Sequence, residues 1–401
     1  MLKAFSWVVV ANLARQVAFL AVNAFLFSRL SRPTFGALAL AFGYMTVFAG
    51  LGEFGIRQIG WREIARYPDN AGRLAGTFLS ARFVTAIGSA AAYVALMPLL
   101  WEPGTPAAIY LMYALPIFLN QSTFEFPLFG LDRLDLYARF SVTTFAVYVL
   151  ACLTAVTTDD RAWLVPLFFA LSMGLMLILE ANWLRRAVGG FRMRLSGREL
   201  KEILGESWPI GVAETINRLA LSYPVIFIGA LIGAESVGNY RIAEIGYSLL
   251  AQLGYMFASA GFSRLAHAFE HDRAQAPSVA SRMLGRTFAA ALFGGAVFSL
   301  LGPLMLPLIF DSIAPETLTV VRVLGIALVF AAPARFLRGL LTSVNEQRSL
   351  MMINALTLLL GLGLAWWATS SYGIVGMAAT LVVVEASSLA LLVTALWRSV
   401  R

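Results

Sequence analysis

The strongest constraint on this chain is a succession of apolar runs, each about 20 residues long and joined by short polar connections. A bilayer core about 30 Å thick is crossed by roughly 20 residues of α-helix, so each run is expected to span a membrane. The runs are continuous rather than alternating with period two, which favours a helix bundle over a β-barrel. Twelve spans are predicted, at 5–28, 34–56, 75–100, 107–128, 137–158, 162–184, 205–231, 236–262, 283–309, 318–343, 348–369 and 373–397.

The composition supports an all-α integral membrane protein. The chain is 59% hydrophobic and 13% charged, whereas a soluble domain is about half apolar and about a quarter charged. Its net charge of +8 is explained below by loop charges, so nucleic acid is not expected as a partner. Cys152 is the only cysteine, which excludes an internal disulfide.

Lys and Arg in the short connections predict the orientation of the spans. With both termini in the cytoplasm, the inner segments carry 22 of the 30 basic residues and the outer loops carry four. The remaining four arginines lie within predicted spans. Because cytoplasmic loops are enriched in Lys and Arg, this asymmetry predicts that both termini lie on the cytoplasmic side of the membrane.

The longest inner connection divides the spans into two groups of six. The predicted domains are residues 1–184, a basic cytoplasmic linker at 185–204, and residues 205–401. Ser6-Trp7 near the first start matches Ser207-Trp208 near the second. Six spans per half give the halves the same orientation, related by an axis along the membrane normal, with substrate bound between them. Chance similarity between apolar helices is the alternative that stays open.

Four predicted helices carry polar stripes at helical spacing. Each stripe includes one arginine, and a charged side chain at the bilayer centre costs roughly 2.5–3.5 kcal/mol on insertion scales, so such residues usually face a cavity. The stripes are Asn12, Arg15, Gln16 and Asn23; Arg82, Thr85, Ser89 and Tyr93; Glu214, Asn217 and Arg218; and Arg241, Glu244, Ser248, Gln252 and Tyr255.

The four arginines predict a cavity that binds an anionic head group, because a guanidinium forks onto two phosphate oxygens and stays charged. Arg15 has no acidic neighbour on its face and is the best single candidate. Alternatives stay open for the other three arginines. In the couples Glu214–Arg218 and Arg241–Glu244, the two charges neutralise each other and the pair serves helix packing. The Arg82 side chain extends to the inner membrane interface. The predicted ligands of the anion are Arg15, Arg82, Arg218, Arg241, Asn12 and Asn23.

The carboxylates within spans are candidates for proton or sodium coupling, against a packing or capping role. They are Glu214, Glu244, Glu385 and Glu125. Glu180 is interpreted as a solvated residue at an inner helix end.

Catalytic motifs are scarce, so no enzyme activity, cofactor or metal is expected. "HAFEH" (267–271) fits the H-x-x-E-H zinc pattern, but a short loop offers no third ligand, and a solvated loop is the better interpretation. The chain has no G-x-x-x-x-G-K-[ST] phosphate loop.

Four motifs together resemble polysaccharide-exporter flippases of the MATE-like MOP superfamily. They are "LGEFGIRQIGWREIAR" (51–66), "SRPTFGALALAFGY" (31–44), "LFGLDRLDLYA" (128–138) and "GAESVGNYRIAE" (233–244). In the first, Glu53 is interpreted as lying near the inner end of span 2, and Arg57, Arg62 and Arg66 as a topology anchor along the inner membrane surface. Arg57 is also a minor candidate for contact with the incoming diphosphate.

The resemblance implies two six-helix bundles around a central cavity that opens to either side by rocking. It also implies that undecaprenyl-diphosphate-linked oligosaccharide units move to the outer leaflet for O-antigen, capsule or exopolysaccharide assembly. Membrane lipids, a polysaccharide polymerase and chain-length machinery are the implied partners. Two alternatives remain: a cation-coupled exporter of small molecules, favoured by the carboxylates, and a membrane polymerase or ligase, disfavoured by the short outer loops.

Overall fold

A computed structural model describes residues 2–259, 276–310, 312–343 and 347–400. These residues are almost entirely α-helical and include no β-strand, as predicted. They divide into two compact units, Met1–Ser222 and Tyr223–Arg401. The division between units falls within a long helix rather than in the linker 185–204, and the predicted domain bounds stay a prediction.

The first unit contains nine helices and the start of a tenth within the described part of the chain. They are α1 (Leu2–Arg29), α2 (Arg32–Glu53), α3 (Ile56–Arg66), α4 (Ala71–Leu100), α5 (Ala107–Met112), α6 (Ala114–Ser122), α7 (Glu125–Gly130), α8 (Leu134–Ala155), α9 (Leu164–Ala187) and α10 (Gly197–Ile232). The second unit continues α10 and adds α11 (Ala234–Ser259), α12 (Ala276–Ile309), α13 (Pro315–Ser343) and α14 (Gln347–Val400).

The helices agree with the predicted set of twelve spans. In the described residues, eight helices are long and apolar enough to cross a membrane. One of these, Ser349–Arg398, is broken at Gly373 (φ 59°) and contains two predicted spans. The other predicted spans are α1, the segment from α5 to α7, and α11, whose predicted end at 260–262 lies outside the described residues.

The fourth predicted span, 107–128, is not one continuous helix but the three short helices α5, α6 and α7. Proline explains part of the interruption, since its nitrogen carries no hydrogen for the helical hydrogen bond. Pro106 precedes α5, Pro116 lies in the first turn of α6, and Pro127 lies in the first turn of α7. The main chain between α6 and α7, at Thr123 and Phe124, is called the α6–α7 break below.

The corner between α2 and α3 is built from two residues with left-handed backbone. Ser31 caps the start of α2 by accepting a hydrogen bond from the Thr34 main-chain nitrogen. Phe54 (φ 46°) and Gly55 (φ 74°) then end α2 and begin α3. Glycine adopts positive φ at little cost, so Gly55 allows a tight corner.

The apolar face of α3 packs inward in the first unit. Ile56, Ile59 and Ile64 are buried in a cluster with residues of α4 that include Phe78. The isoleucines of α3 therefore lie in the protein core, and the position of this segment along the inner membrane surface stays a prediction. Trp61 is 45% exposed on the other side of the helix.

Candidate functional site

The end of α2 and the start of α3 bring Glu53 to the centre of a buried ion-pair network. Glu53 is 2% exposed. Its Oε1 accepts a hydrogen bond from Nε of Arg57 at 2.6 Å, and its Oε2 accepts one from a terminal nitrogen of Arg218. One carboxylate therefore bridges two guanidinium groups that are far apart in the sequence, one on α3 and one on α10.

The network extends by one carboxylate at each end. Arg218 Nε donates to Glu214 Oε1 at 3.0 Å, and Arg57 Nε lies 3.5 Å from Glu125 Oε1. We call Glu53, Arg57, Glu125, Glu214 and Arg218 the Glu53 network. With every group ionised it carries three negative and two positive charges.

Burial and charge act in opposite directions on Arg57. Burial alone lowers the pKa of the guanidinium, but the charges of Glu125 and Glu53 outweigh it, and the pKa of Arg57 is raised above its ordinary value. Arg57 is thus a permanent cation at any working pH.

Glycines allow α10 to approach this corner closely. A Cβ atom on Gly211 would lie 2.7 Å from the Phe54 carbonyl carbon, and one on Gly55 would lie 2.7 Å from the Ser207 main-chain oxygen. A Cβ on Gly50 would lie 2.6 Å from Cδ of Arg218. These contacts bring the backbones together and place Arg218 beside Glu53.

Arg15 on α1 has a different environment. Its guanidinium donates to the Ser141 hydroxyl at 3.2 Å and lies 5.8 Å from the centre of the Phe145 ring. The side chain is half-buried, and no described carboxylate lies within ion-pair distance of it. Of its predicted companions, Asn12 is exposed, and Asn23 is half-buried and donates to the Phe19 carbonyl at 2.8 Å.

Two guanidinium groups, those of Arg57 and Arg218, lie on the two oxygens of Glu53. We call this pair the arginine site. Arg15 belongs to the same unit, and its place in one anion site with this pair stays a prediction.

Arg82 of α4 lies in the first unit against the α6–α7 break. It is 1% exposed, so its guanidinium does not reach the interface. It donates to the main-chain oxygens of Thr123 at 2.9 Å and Asn120 at 3.3 Å. These carbonyls lack helical partners at the end of α6, where the helix dipole also favours a cation. A role of Arg82 in anion binding stays a prediction.

Glu180 holds the other side of the same break. Its Oε2 accepts a hydrogen bond from the Phe124 main-chain nitrogen at 2.7 Å. The residue is 0% exposed, so the expectation of a solvated helix end is wrong. A single sequence gives no sign that an acidic residue near a helix end is buried, because its partner is a main-chain group 56 positions away.

In the second unit, the acidic and basic candidates are also paired. Arg241 donates to Glu244 at 2.6 Å, and Tyr247 donates to Glu385 at 3.4 Å. The structure thus forms both Glu–Arg couples that the spacing indicates, Glu214–Arg218 and Arg241–Glu244. Because Arg15, Arg82 and Arg218 belong to the first unit and Arg241 to the second, their union in one cavity stays a prediction.

Glu53 is the main residue that sequence reasoning missed. Its only local signal is Arg57 four residues later, the spacing of an ion pair on a helix. The described residues contain no group of three or more His, Cys, Asp or Glu that could hold a metal ion. The "HAFEH" segment, 267–271, lies outside the described residues.

Comparison with solved structures, together with the long apolar helices, defines the class of protein: a multi-pass membrane protein with a MATE-like fold. An inward-facing multidrug resistance MATE transporter aligns with a TM-score of 0.72 and 15% identity, over 96% of this chain and 94% of that chain. The lipid II flippase MurJ, in an inward closed conformation, aligns at 0.76 and 10% identity, over 97% and 87%. A MOP transporter from Pyrococcus furiosus, described as having a binding pocket of reverse polarity, aligns at 0.67 and 16%, over 98% and 94%.

The family follows from a sequence comparison. A family model described as "Polysaccharide biosynthesis protein" matches residues 1–269, and the chain belongs to this family. The match includes the whole of the first unit and thus the arginine site. Among curated proteins, no match was found.

Proposed function

We propose that the protein is a flippase that moves undecaprenyl-diphosphate-linked oligosaccharide units from the inner to the outer leaflet of the bacterial cytoplasmic membrane by alternating access. Membership of the polysaccharide biosynthesis family supports the substrate class. The observation that carries the proposal is Arg15, a half-buried guanidinium of the first unit without an ion-pair partner among the described carboxylates.

An unpaired guanidinium on a membrane helix is costly, at roughly 2.5–3.5 kcal/mol near the bilayer centre. A diphosphate offsets this cost because its oxygens accept the forked hydrogen bonds of arginine. The Ser141 hydroxyl and the Phe145 ring hold the side chain in place. Both groups are neutral, so they leave the charge of Arg15 uncompensated. Arg15 is therefore suited to an anionic ligand.

The Glu53 network adds further donors for the same anion. In the described structure Arg57 donates one hydrogen bond, through Nε, so its two terminal nitrogens are available. Arg57 and Arg218 have 33% and 20% of their side chains exposed. Each oxygen of Glu53 accepts a hydrogen bond from one of these two guanidinium groups. Two guanidinium groups held this close together can also donate to two oxygens of one phosphate.

The proposal is tested with the protein in liposomes that contain a fluorescent undecaprenyl-diphosphate sugar. Loss of fluorescence on adding dithionite reports lipid that has reached the outer leaflet. The wild-type protein and Arg139→Ala, an exposed arginine of α8, should move the lipid, whereas Arg15→Ala should not and Arg15→Lys should be intermediate. Equal movement by Arg15→Ala and the wild type would overturn the role of Arg15.

A second candidate is a cation-coupled exporter of small molecules. The Glu53 network has three carboxylates and two guanidinium groups, and Glu244 is buried. Both observations favour this candidate because carboxylates bind cations. Cells that overproduce the protein would then resist cationic dyes such as ethidium. Unchanged sensitivity would exclude this candidate.

Several finer points belong to the proposal. Both termini lie in the cytoplasm, and the lipid-linked product passes to a polysaccharide polymerase and chain-length machinery. The protein acts as a transporter rather than an enzyme, and proton or sodium coupling through Glu214, Glu244, Glu385 or Glu125 would supply the energy.

A further inference from the structure

An open apolar groove runs along the first turns of α10 in the first unit. Its volume is about 450 Å³. Leu200, Leu204 and Trp208 recur every four residues and so share one face of the helix, and Phe54 from the end of α2 completes the wall. Trp208 is 54% exposed. Apolar side chains in this arrangement leave a surface that an apolar ligand can cover.

Gly205 forms part of the groove, and its small size is not required by the fold. A Cβ atom there would meet no atom within 4 Å, and its φ is not positive. Gly211, less than two turns later, is different, because a Cβ there would lie 2.7 Å from the Phe54 backbone. A glycine inside a helix lowers helix stability relative to alanine. A side chain added at Gly205 would therefore occupy the open space of the groove.

The groove also has a distinct charge pattern. Lys201 is exposed in its wall and makes no ion pair in the described structure. Phe54 directly follows Glu53, whose carboxylate holds Arg57 and Arg218. One end of the apolar wall thus adjoins the arginine site.

We propose that this groove binds the first isoprenoid units of a prenyl diphosphate, whose phosphates lie at the end where Phe54 adjoins the arginine site. The inference rests on the proposed function and specifies where the lipid of the substrate lies. In a prenyl diphosphate the apolar chain is joined directly to the phosphate. A phospholipid places ester carbonyls and glycerol at that point, whereas the groove wall beside the arginine site consists of the apolar side chains of Phe54 and Trp208.

Binding by the detergent-purified full chain tests the groove, with pyrophosphate, farnesol and farnesyl diphosphate as probes. Because each 1.4 kcal/mol is a tenfold change and each buried methylene contributes about 0.8 kcal/mol, farnesyl diphosphate should bind at least about tenfold tighter than pyrophosphate. Gly205→Leu fills the groove and should remove most of this gain while pyrophosphate affinity stays unchanged. Gly174→Leu, at another helical glycine with open space around it, should keep the gain.

The outcomes separate the two proposals. Two results would overturn the proposed binding of the isoprenoid in the groove. One is that farnesyl diphosphate still binds more tightly than pyrophosphate in both Gly205→Leu and Leu204→Gln. The other is that phosphatidylglycerol at equal concentration displaces farnesyl diphosphate. Leu204→Gln guards against a folding defect in the first variant, and thermal unfolding checks both. If pyrophosphate does not bind but farnesol does, and Gly205→Leu abolishes farnesol binding, the result contradicts the anion site of the proposed function and supports the apolar groove.

Discussion

The guanidinium of Arg82 donates a hydrogen bond to the Thr123 main-chain oxygen at 2.9 Å and fixes α4 to the α6–α7 break. A second bond reaches the Asn120 oxygen at 3.3 Å. On the other side of the break, Glu180 accepts from the Phe124 nitrogen. Two buried ionisable groups therefore supply the partners that a continuous helix would have supplied from its own backbone.

Substitution of Arg82 should destabilise the first unit. Arg82→Ala removes the guanidinium donor from the Thr123 and Asn120 carbonyl oxygens, of which, among the described residues, only that of Asn120 keeps another donor, the Thr123 hydroxyl at 3.3 Å. Because hydrogen bonds to charged groups contribute about 1.5–3 kcal/mol each, we expect a loss of at least about 2 kcal/mol in the free energy of unfolding. Denaturant unfolding of the purified protein measures the loss. Arg139→Ala, on an exposed face of α8, is the control, and an equal effect of both variants would contradict a clamping role.

Glu180 should tolerate loss of its charge but not loss of its oxygen. It accepts one main-chain hydrogen bond, and its Oε1 has no hydrogen-bond partner among the described residues. Glu180→Gln keeps an acceptor of the same shape, so its effect on stability should be small. Glu180→Leu leaves the Phe124 nitrogen unpaired at a cost of about 1–3 kcal/mol. Transport measured on both variants would show whether the charge has a further role.

The sequence predicted the helices well because a bilayer requires long apolar runs, which are visible without any tertiary information. Local spacing also predicted the Glu214–Arg218 pair, found at 3.0 Å. It did not predict the contact of Arg218 with Glu53, since their separation of 165 positions is closed by packing at Gly50, Gly55 and Gly211. Whether a buried charge binds main chain, another charge or a ligand depends on such packing.

Glu53 and Arg218 should be energetically coupled. Removing one partner of a buried ion pair costs about 3–5 kcal/mol, because the other charge is left uncompensated. We therefore expect Glu53→Gln and Arg218→Gln to be destabilising singly, and the double variant to be more stable than the sum of both effects by about 0.5–3 kcal/mol.

A four-variant unfolding cycle measures this coupling. Glu206→Gln serves as the control, since its pair with Arg62 has side chains 53% and 43% exposed and exposed pairs contribute under about 1 kcal/mol. Additive effects of Glu53→Gln and Arg218→Gln would show that the two side chains do not share one network.

Two glycines in helices should respond oppositely to alanine. Gly211→Ala forces a methyl group against the Phe54 backbone, where a Cβ would lie at 2.7 Å, and overpacking of this kind costs about 1–3 kcal/mol. Gly174→Ala meets no atom within 4 Å, and alanine stabilises a helix by about 0.5–1 kcal/mol relative to glycine. Thermal unfolding midpoints should therefore fall for the first variant and rise for the second. A rise for both would show that α10 does not need its close approach to the corner.

Glu385 should decide whether transport responds to a proton gradient. Its Oε1 accepts from Tyr247 at 3.4 Å, and its Oε2 has no hydrogen-bond partner among the described residues. Ionisable residues in membrane helices mark ion pathways because an uncompensated charge there is costly. We expect an imposed pH gradient to accelerate lipid movement in liposomes by the wild-type protein and by Glu235→Gln, which alters an exposed residue at the start of α11. Glu385→Gln should move lipid at the rate without a gradient, and full acceleration in this variant would exclude Glu385 as the coupling group.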